Sequence, residues 1–130
     1  MESTIFTRIL NKELPGEIMY EDEFVFVIPD IFPSVHGQVL VITKRQVPYI
    51  FELEQNEYDG LMRAVQKVAK ALDKAFETVR TCVVIEGFEV PHVHVRLYPC
   101  VTEALVWSER YKATNEELMN VAHRVRTALA

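Results

Sequence analysis

Val90-Pro91-His92-Val93-His94-Val95-Arg96-Leu97-Tyr98-Pro99 alternates apolar and polar side chains without a break. Successive side chains of a strand point to opposite faces, with alternate residues about 7 Å apart. The stretch therefore predicts a strand over 90–98. Val93, Val95 and Leu97 form a face that can meet a helix layer, while His92, His94, Arg96 and Tyr98 line the other. Three chemistries fit that row. A solvent-facing antiparallel strand alternates in the same way and tolerates His, Arg and Tyr. His-x-His can offer two imidazoles to one metal ion, but the downstream Glu and third His of a cupin-like site do not follow at useful spacing. Finally, a neutral imidazole can attack an activated phosphate when its other nitrogen gives its proton to an acceptor, such as a carbonyl of the same strand.

Outward from this segment the chain reads as alternating strands and helices. Phe24 to Ile28 is β-branched and aromatic and stops at Pro29, a strand. Val39 to Ile42 is wholly apolar, as a short strand buried on both faces should be. Thr81 to Ile85 is another strand. Between them Tyr58, Leu61, Met62, Val65, Val68, Leu72 and Phe76 repeat at three-and-four spacing and predict a long helix over 54–76. A second helix is expected from about 114 to 129, opened by a Thr114–Glu117 capping box. Residues 5–29 hold two short apolar segments around a Pro15-Gly16 turn. The sum is an α+β domain over 1–130: an antiparallel sheet of about five strands with helices against one face, one of them long and central, another C-terminal.

With 130 residues, 49% of them hydrophobic and 25% charged, the chain can bury its own core. A net charge of -5, with both signs mixed along the chain, would not draw it to nucleic acid or an anionic membrane. The N-terminus lacks a basic leader pattern and no apolar run is long enough to span a bilayer, so a cytoplasmic protein is expected. Cys82 and Cys100 then read as reduced thiols rather than a disulfide.

From about Thr4 to Pro99 the chain resembles the histidine-triad (HIT) family, whose signature is His-x-His-x-His with apolar spacers. The resemblance rests on 90–99 together with Thr4-Ile5-Phe6-Thr7-Arg8-Ile9, Lys12-Glu13-Leu14-Pro15, Tyr20-Glu21-Asp22, Asp30-Ile31-Phe32-Pro33 and 37–45, in that order and spacing. It implies that His94 is the nucleophile and that His92 supports it through its backbone carbonyl. It also implies that Asp30 holds ribose hydroxyls, that Leu14, Ile28 and Ile31 sandwich a purine base, and that the domain pairs as a twofold homodimer. For Ile28 the plain role of core residue fits nearly as well.

The chain departs from that pattern in four places. Arg96 stands where the third histidine should be, and Gln38 replaces a histidine after Gly37; both are expected to contact phosphate oxygens. Alternatively, Arg96 pairs with Glu86 or Glu89 and never meets substrate. Ile85-Glu86-Gly87-Phe88-Glu89 replaces a longer glycine-rich phosphate loop. Some bacterial members carry a structural zinc at places that here hold Thr4, Thr7 and Gln46, poor zinc ligands, so neither metal nor cofactor is expected. His36 and His123 read as surface residues, and Lys44 and Arg45 as solvated charges. Trp107 and Tyr111 read as an aromatic pair. The resemblance implies a nucleotide hydrolase or nucleotidyl transferase acting at the α-phosphate of a purine nucleoside phosphoramidate or dinucleotide. The alternative is a nucleotide-binding module with little turnover.

Overall fold

The computed structural model describes residues 2–105 and 109–130. Among them are strands β1 (Tyr20–Glu21), β2 (Val25–Pro29), β3 (Val39–Thr43), β4 (Arg80–Val84) and β5 (His94–Cys100). The α-helices are α1 (Ile5–Leu10), α2 (Gln55–Phe76) and α3 (Asn115–Leu129). The strands form one sheet in the order β1-β2-β3-β5-β4, every pairing antiparallel, and the fold is α+β.

Alternation along the central strands divides them between two apolar clusters. Val25, Val27, Val39, Val41, Val95 and Leu97 pack with Leu61, Val65, Val68 and Leu72 of α2 and with Val121 and Val125 of α3. On the reverse face Phe26, Ile28, Leu40 and Ile42 gather around Phe6 of α1. Each large side chain so buried contributes about 1.5–3 kcal/mol. Helices thus cover both faces of the sheet, where the sequence predicted one. The missed helix, α1, has only 6 residues, too few for a periodic stripe. Its signal is local: the Thr4 hydroxyl accepts from the Thr7 N–H at 3.3 Å, a side-chain N-cap.

The long helix matches its expected span, with the Glu54 N–H donating to the Glu57 carboxylate at 3.0 Å. At α3 only half of the expected capping box forms. Thr114 accepts from the Glu117 N–H, but the Glu117 carboxylate turns away to Tyr111 and His36. Lys44 and Arg45, expected as solvated charges, pair with Glu21 and Glu57.

The start of β5 is the larger correction. The strand begins at His94, not Val90. Pro91 has no N–H for a ladder, the His92 N–H folds back onto the Val90 carbonyl at 2.8 Å, and the Val93 N–H reaches the Val47 carbonyl at 2.8 Å. His94, Arg96 and Tyr98 share the face opposite Val95 and Leu97 as expected, whereas His92 lies in the irregular segment before the strand. The loop from β2 to β3 turns at Gly37, whose φ of +90° suits glycine. A Cβ there would lie 2.8 Å from the Phe76 ring.

Candidate functional site

His94 opens β5 opposite Ile42 and is 2% exposed. Its Nδ1 lies 2.6 Å from the His92 carbonyl oxygen. A carbonyl can only accept, so Nδ1 carries the proton and the lone pair belongs to Nε2. Burial lowers the His94 pKa below 6.5. The Arg96 charge adds to this, while the bond to His92 and the charges of Glu86 and Asp30 oppose it. The ring is therefore neutral at neutral pH and nucleophilic at Nε2.

His92 is completely buried and held from both sides: Nε2 to the Thr43 carbonyl at 2.7 Å and Nδ1 to the Thr4 hydroxyl at 2.6 Å. Burial lowers its pKa as well. Phe6 of α1 sets its ring edge-to-face between the two imidazoles, at centroid distances of 5.7 Å from His92 and 4.9 Å from His94. Neither Phe6 nor Thr4 was singled out as supporting the site from the sequence. Both lie in the Thr4–Ile9 stretch that carries the resemblance, but no periodicity sets Phe6 apart and the only individual role the sequence offers Thr4 is that of a poor zinc ligand.

Asp30 follows β2 and is buried. One carboxylate oxygen accepts from the Phe32 N–H at 2.9 Å, the other from the Gln38 amide at 2.7 Å. The Gln38 carbonyl in turn accepts from the Ser34 and Val35 N–H groups. Gln38, itself buried, is therefore engaged within the Asp30 loop at both ends of its amide.

Arg96 points to Glu86, with Nη1 and Oε1 3.3 Å apart, the ion pair that the sequence offered as an alternative. Two buried atoms of this corner, Arg96 Nε and Glu86 Oε1, make no hydrogen bond. Glu89 is drawn off to Arg110 at 3.1 Å.

The three expected base contacts are differently placed. Ile28 is a core residue, Ile31 is 49% exposed, and Leu14 lines a groove of about 510 Å³ with Ile9, Pro15 and Ile18. His36 is exposed, 2.9 Å from Glu117, with its ring edge-on to Phe76. His123 is exposed too. The pairing expected of Trp107 with Tyr111 involves a residue outside those described. The Tyr111 hydroxyl instead donates to Glu117 at 2.5 Å, and its pKa is pushed up to about 12, by burial first and by that carboxylate second.

An α+β sheet with a buried, singly protonated imidazole at the head of a central strand defines a class of site, and comparison supplies the family. The model of the HIT domain matches residues 11–100. The chain belongs to the HIT family. An uncharacterized HIT-like protein of Methanocaldococcus jannaschii is 32% identical over 99 residues, 73% of this chain and 77% of that protein. A purine nucleoside phosphoramidase of Escherichia coli K12 is 26% identical over 102 residues, 74% of this chain and 86% of the enzyme. The crystal structure of a Hit-like protein from Bartonella henselae, described as involved in cell-cycle regulation, superposes with a TM-score of 0.89 at 28% identity. That match covers 97% of this chain and 96% of the other.

Proposed function

We propose that the protein hydrolyses purine nucleoside phosphoramidates, or transfers their nucleotidyl group, through a covalent intermediate on His94. The observation that carries this is the 2.6 Å bond from His94 Nδ1–H to the His92 carbonyl. The Nε2 lone pair attacks the α-phosphorus, forming a P–N bond. The bond from phosphorus to the leaving nitrogen breaks with its electron pair, and that nitrogen takes a proton from solvent and departs as an amine. The nucleotidyl imidazole is cationic while Nδ1 keeps its proton, so the same bond becomes charge-assisted and stabilises the intermediate. Water then attacks phosphorus and releases a proton to solvent, the P–N bond breaks with its electron pair returning to Nε2, and a nucleoside monophosphate leaves. A small dinucleotide would react in the same way, with a nucleotide as leaving group.

Asp30 takes the ribose hydroxyls as an acceptor-only carboxylate, with Gln38 positioning it instead of contacting phosphate. Leu14 and Ile31 edge the base, with Ile28 in the core beneath them, and Arg96 stands in the third position of the triad, where its guanidinium can meet phosphate oxygens. The E. coli relative named as a purine nucleoside phosphoramidase supports the substrate class. The test is incubation with adenosine 5′-phosphoramidate and mass spectrometry for an adenylyl group on His94. The mass increment on that residue together with AMP release is expected. AMP release without modification at His94 would overturn the mechanism.

A second reading has its own observation, the Arg96–Glu86 pair: a guanidinium already neutralised suits a module that binds nucleotide with little turnover. Tight nucleotide binding without AMP release would select it. We also propose a twofold homodimer. The resemblance implies it, and the outer edge of β4, which no described strand pairs, exposes Val83 at 44%. A monomer by light scattering at micromolar concentration would refute it.

A further inference from the structure

Thr4, Thr7 and Gln46 meet His92 through a chain of hydrogen bonds whose donors are fully determined. The Thr43 carbonyl can only accept, so His92 Nε2 carries the proton. In a neutral ring Nδ1 is then an acceptor, and the Thr4 hydroxyl, 2.6 Å away, must donate to it. The same Thr4 oxygen accepts the Thr7 N–H at the start of α1. Gln46 Oε1 accepts from the Thr4 N–H at 2.8 Å and from the Thr7 hydroxyl at 2.7 Å. Its Nε2 donates to the Glu2 carbonyl at 2.8 Å, which fixes the orientation of the amide.

Zinc, the ion implied for some relatives at these places, does not fit here. Two hydroxyls and an amide oxygen are poor zinc donors, and the one nitrogen lone pair, on His92 Nδ1, is engaged by Thr4. Among the described residues no three His, Cys, Asp or Glu side chains gather to hold an ion.

We propose that Thr4 is a positioning residue. Braced by Thr7 and Gln46, its hydroxyl locks His92 in the Nε2–H tautomer and so holds the His92 carbonyl against His94 Nδ1. The network does with hydrogen bonds what a metal would do by coordination, joining the start of the N-terminal helix to the segment that leads into β5. A buried ring pinned at both nitrogens cannot rotate, and its own carbonyl is the group that assigns the proton on His94.

The first test needs no turnover, which separates it from the hydrolase proposal on which the kinetic arm rests. Long-range proton–nitrogen NMR spectra of the 15N-labelled protein at neutral pH report the tautomer of each imidazole. Nε2–H for His92 and Nδ1–H for His94 are expected, with the His92 Nδ1 resonance shifted as a hydrogen-bonded acceptor. In Thr4→Val that resonance should move to the value of a free imine nitrogen. Turnover should fall about tenfold, the scale of one buried hydrogen bond, with KM changed less than about twofold. Thr4→Ser should restore both readouts. An Nδ1–H tautomer for His92 in the unmodified protein overturns the proposal. So does a Thr4→Val protein with unaltered spectra, or one stoichiometric zinc per chain by elemental analysis.

Discussion

The two ends of the row from His92 to Arg96 are built on opposite principles. At the His92–His94 end Thr43, Thr4 and the His92 carbonyl hold three of the four imidazole nitrogens, leaving only His94 Nε2, and Phe6 wedges both rings. At the Arg96 end, two residues beyond His94 on β5, Nη1 meets Glu86 Oε1 at 3.3 Å as an ion pair without a hydrogen bond, and Arg96 Nε has no hydrogen-bond partner at all. Buried polar groups without partners are costly, so the first end has one preferred state and the second gains by changing partner. A nucleophile needs the first property and a ligand clamp the second.

Removing the nucleophile tests the rigid end. His94→Ala should lower turnover of adenosine 5′-phosphoramidate by about a thousandfold or more while circular dichroism stays unchanged, because a whole reaction step is lost. Retention of half the activity would show that His94 is not the nucleophile. His92→Ala should cost less, since the carbonyl survives the substitution.

The adaptable end is broken from both sides. If Arg96 exchanges Glu86 for phosphate, Arg96→Ala should weaken nucleotide binding about tenfold and make the remaining affinity less salt-sensitive. Glu86→Gln should tighten binding severalfold by releasing the guanidinium. Titration calorimetry at two salt concentrations measures both. A change in stability with nucleotide affinity untouched would make the pair structural and strip the clamp from the comparison.

Acid gives the smallest effect. Burial holds both His92 and His94 below 6.5 in the fold. The unfolded chain therefore binds protons first as pH falls. The stability these rings contribute is fully present above about 6.5, the unfolded value, and is lost as pH drops toward their folded pKa values. The melting temperature should decline through that window, and a His92→Ala, His94→Ala double variant should show a flatter profile. An equally steep decline in the double variant would place the titrating groups elsewhere.

Where a signal was periodic it was legible. The alternation of 93–98 and the stripe of 54–76 yielded β5, α2 and the face on which His94, Arg96 and Tyr98 stand. Pro91 was visible in the sequence, but its effect on register depends on Val47, far away in the chain, so the start of β5 fell four residues later than expected. Asp30 is expected at the site by its place in a motif, whereas the hydrogen bond it accepts from Gln38 is made across a loop and has no pattern. In the sequence Thr4 and Thr7 read only as poor zinc ligands, although a hydroxyl that cannot hold zinc can still donate to an imidazole.

Beyond β5 the chain crosses back over the Asp30 loop: the Tyr111 N–H reaches the Pro33 carbonyl at 3.0 Å and the Ala113 N–H the Ile31 carbonyl at 3.0 Å. Glu117 then gathers Tyr111 and His36 on one carboxylate oxygen. The match to the HIT domain stops at residue 100, so the buttress of the Asp30 loop lies outside the portion recognised as the shared domain. A fragment cut at that boundary would keep His92, His94 and the Asp30 carboxylate yet surrender two backbone bonds and a side-chain knot on the loop's outer rim. Substitutions among 109–117 thus have a mechanical route to the loop that carries Asp30 without touching any residue of the motif.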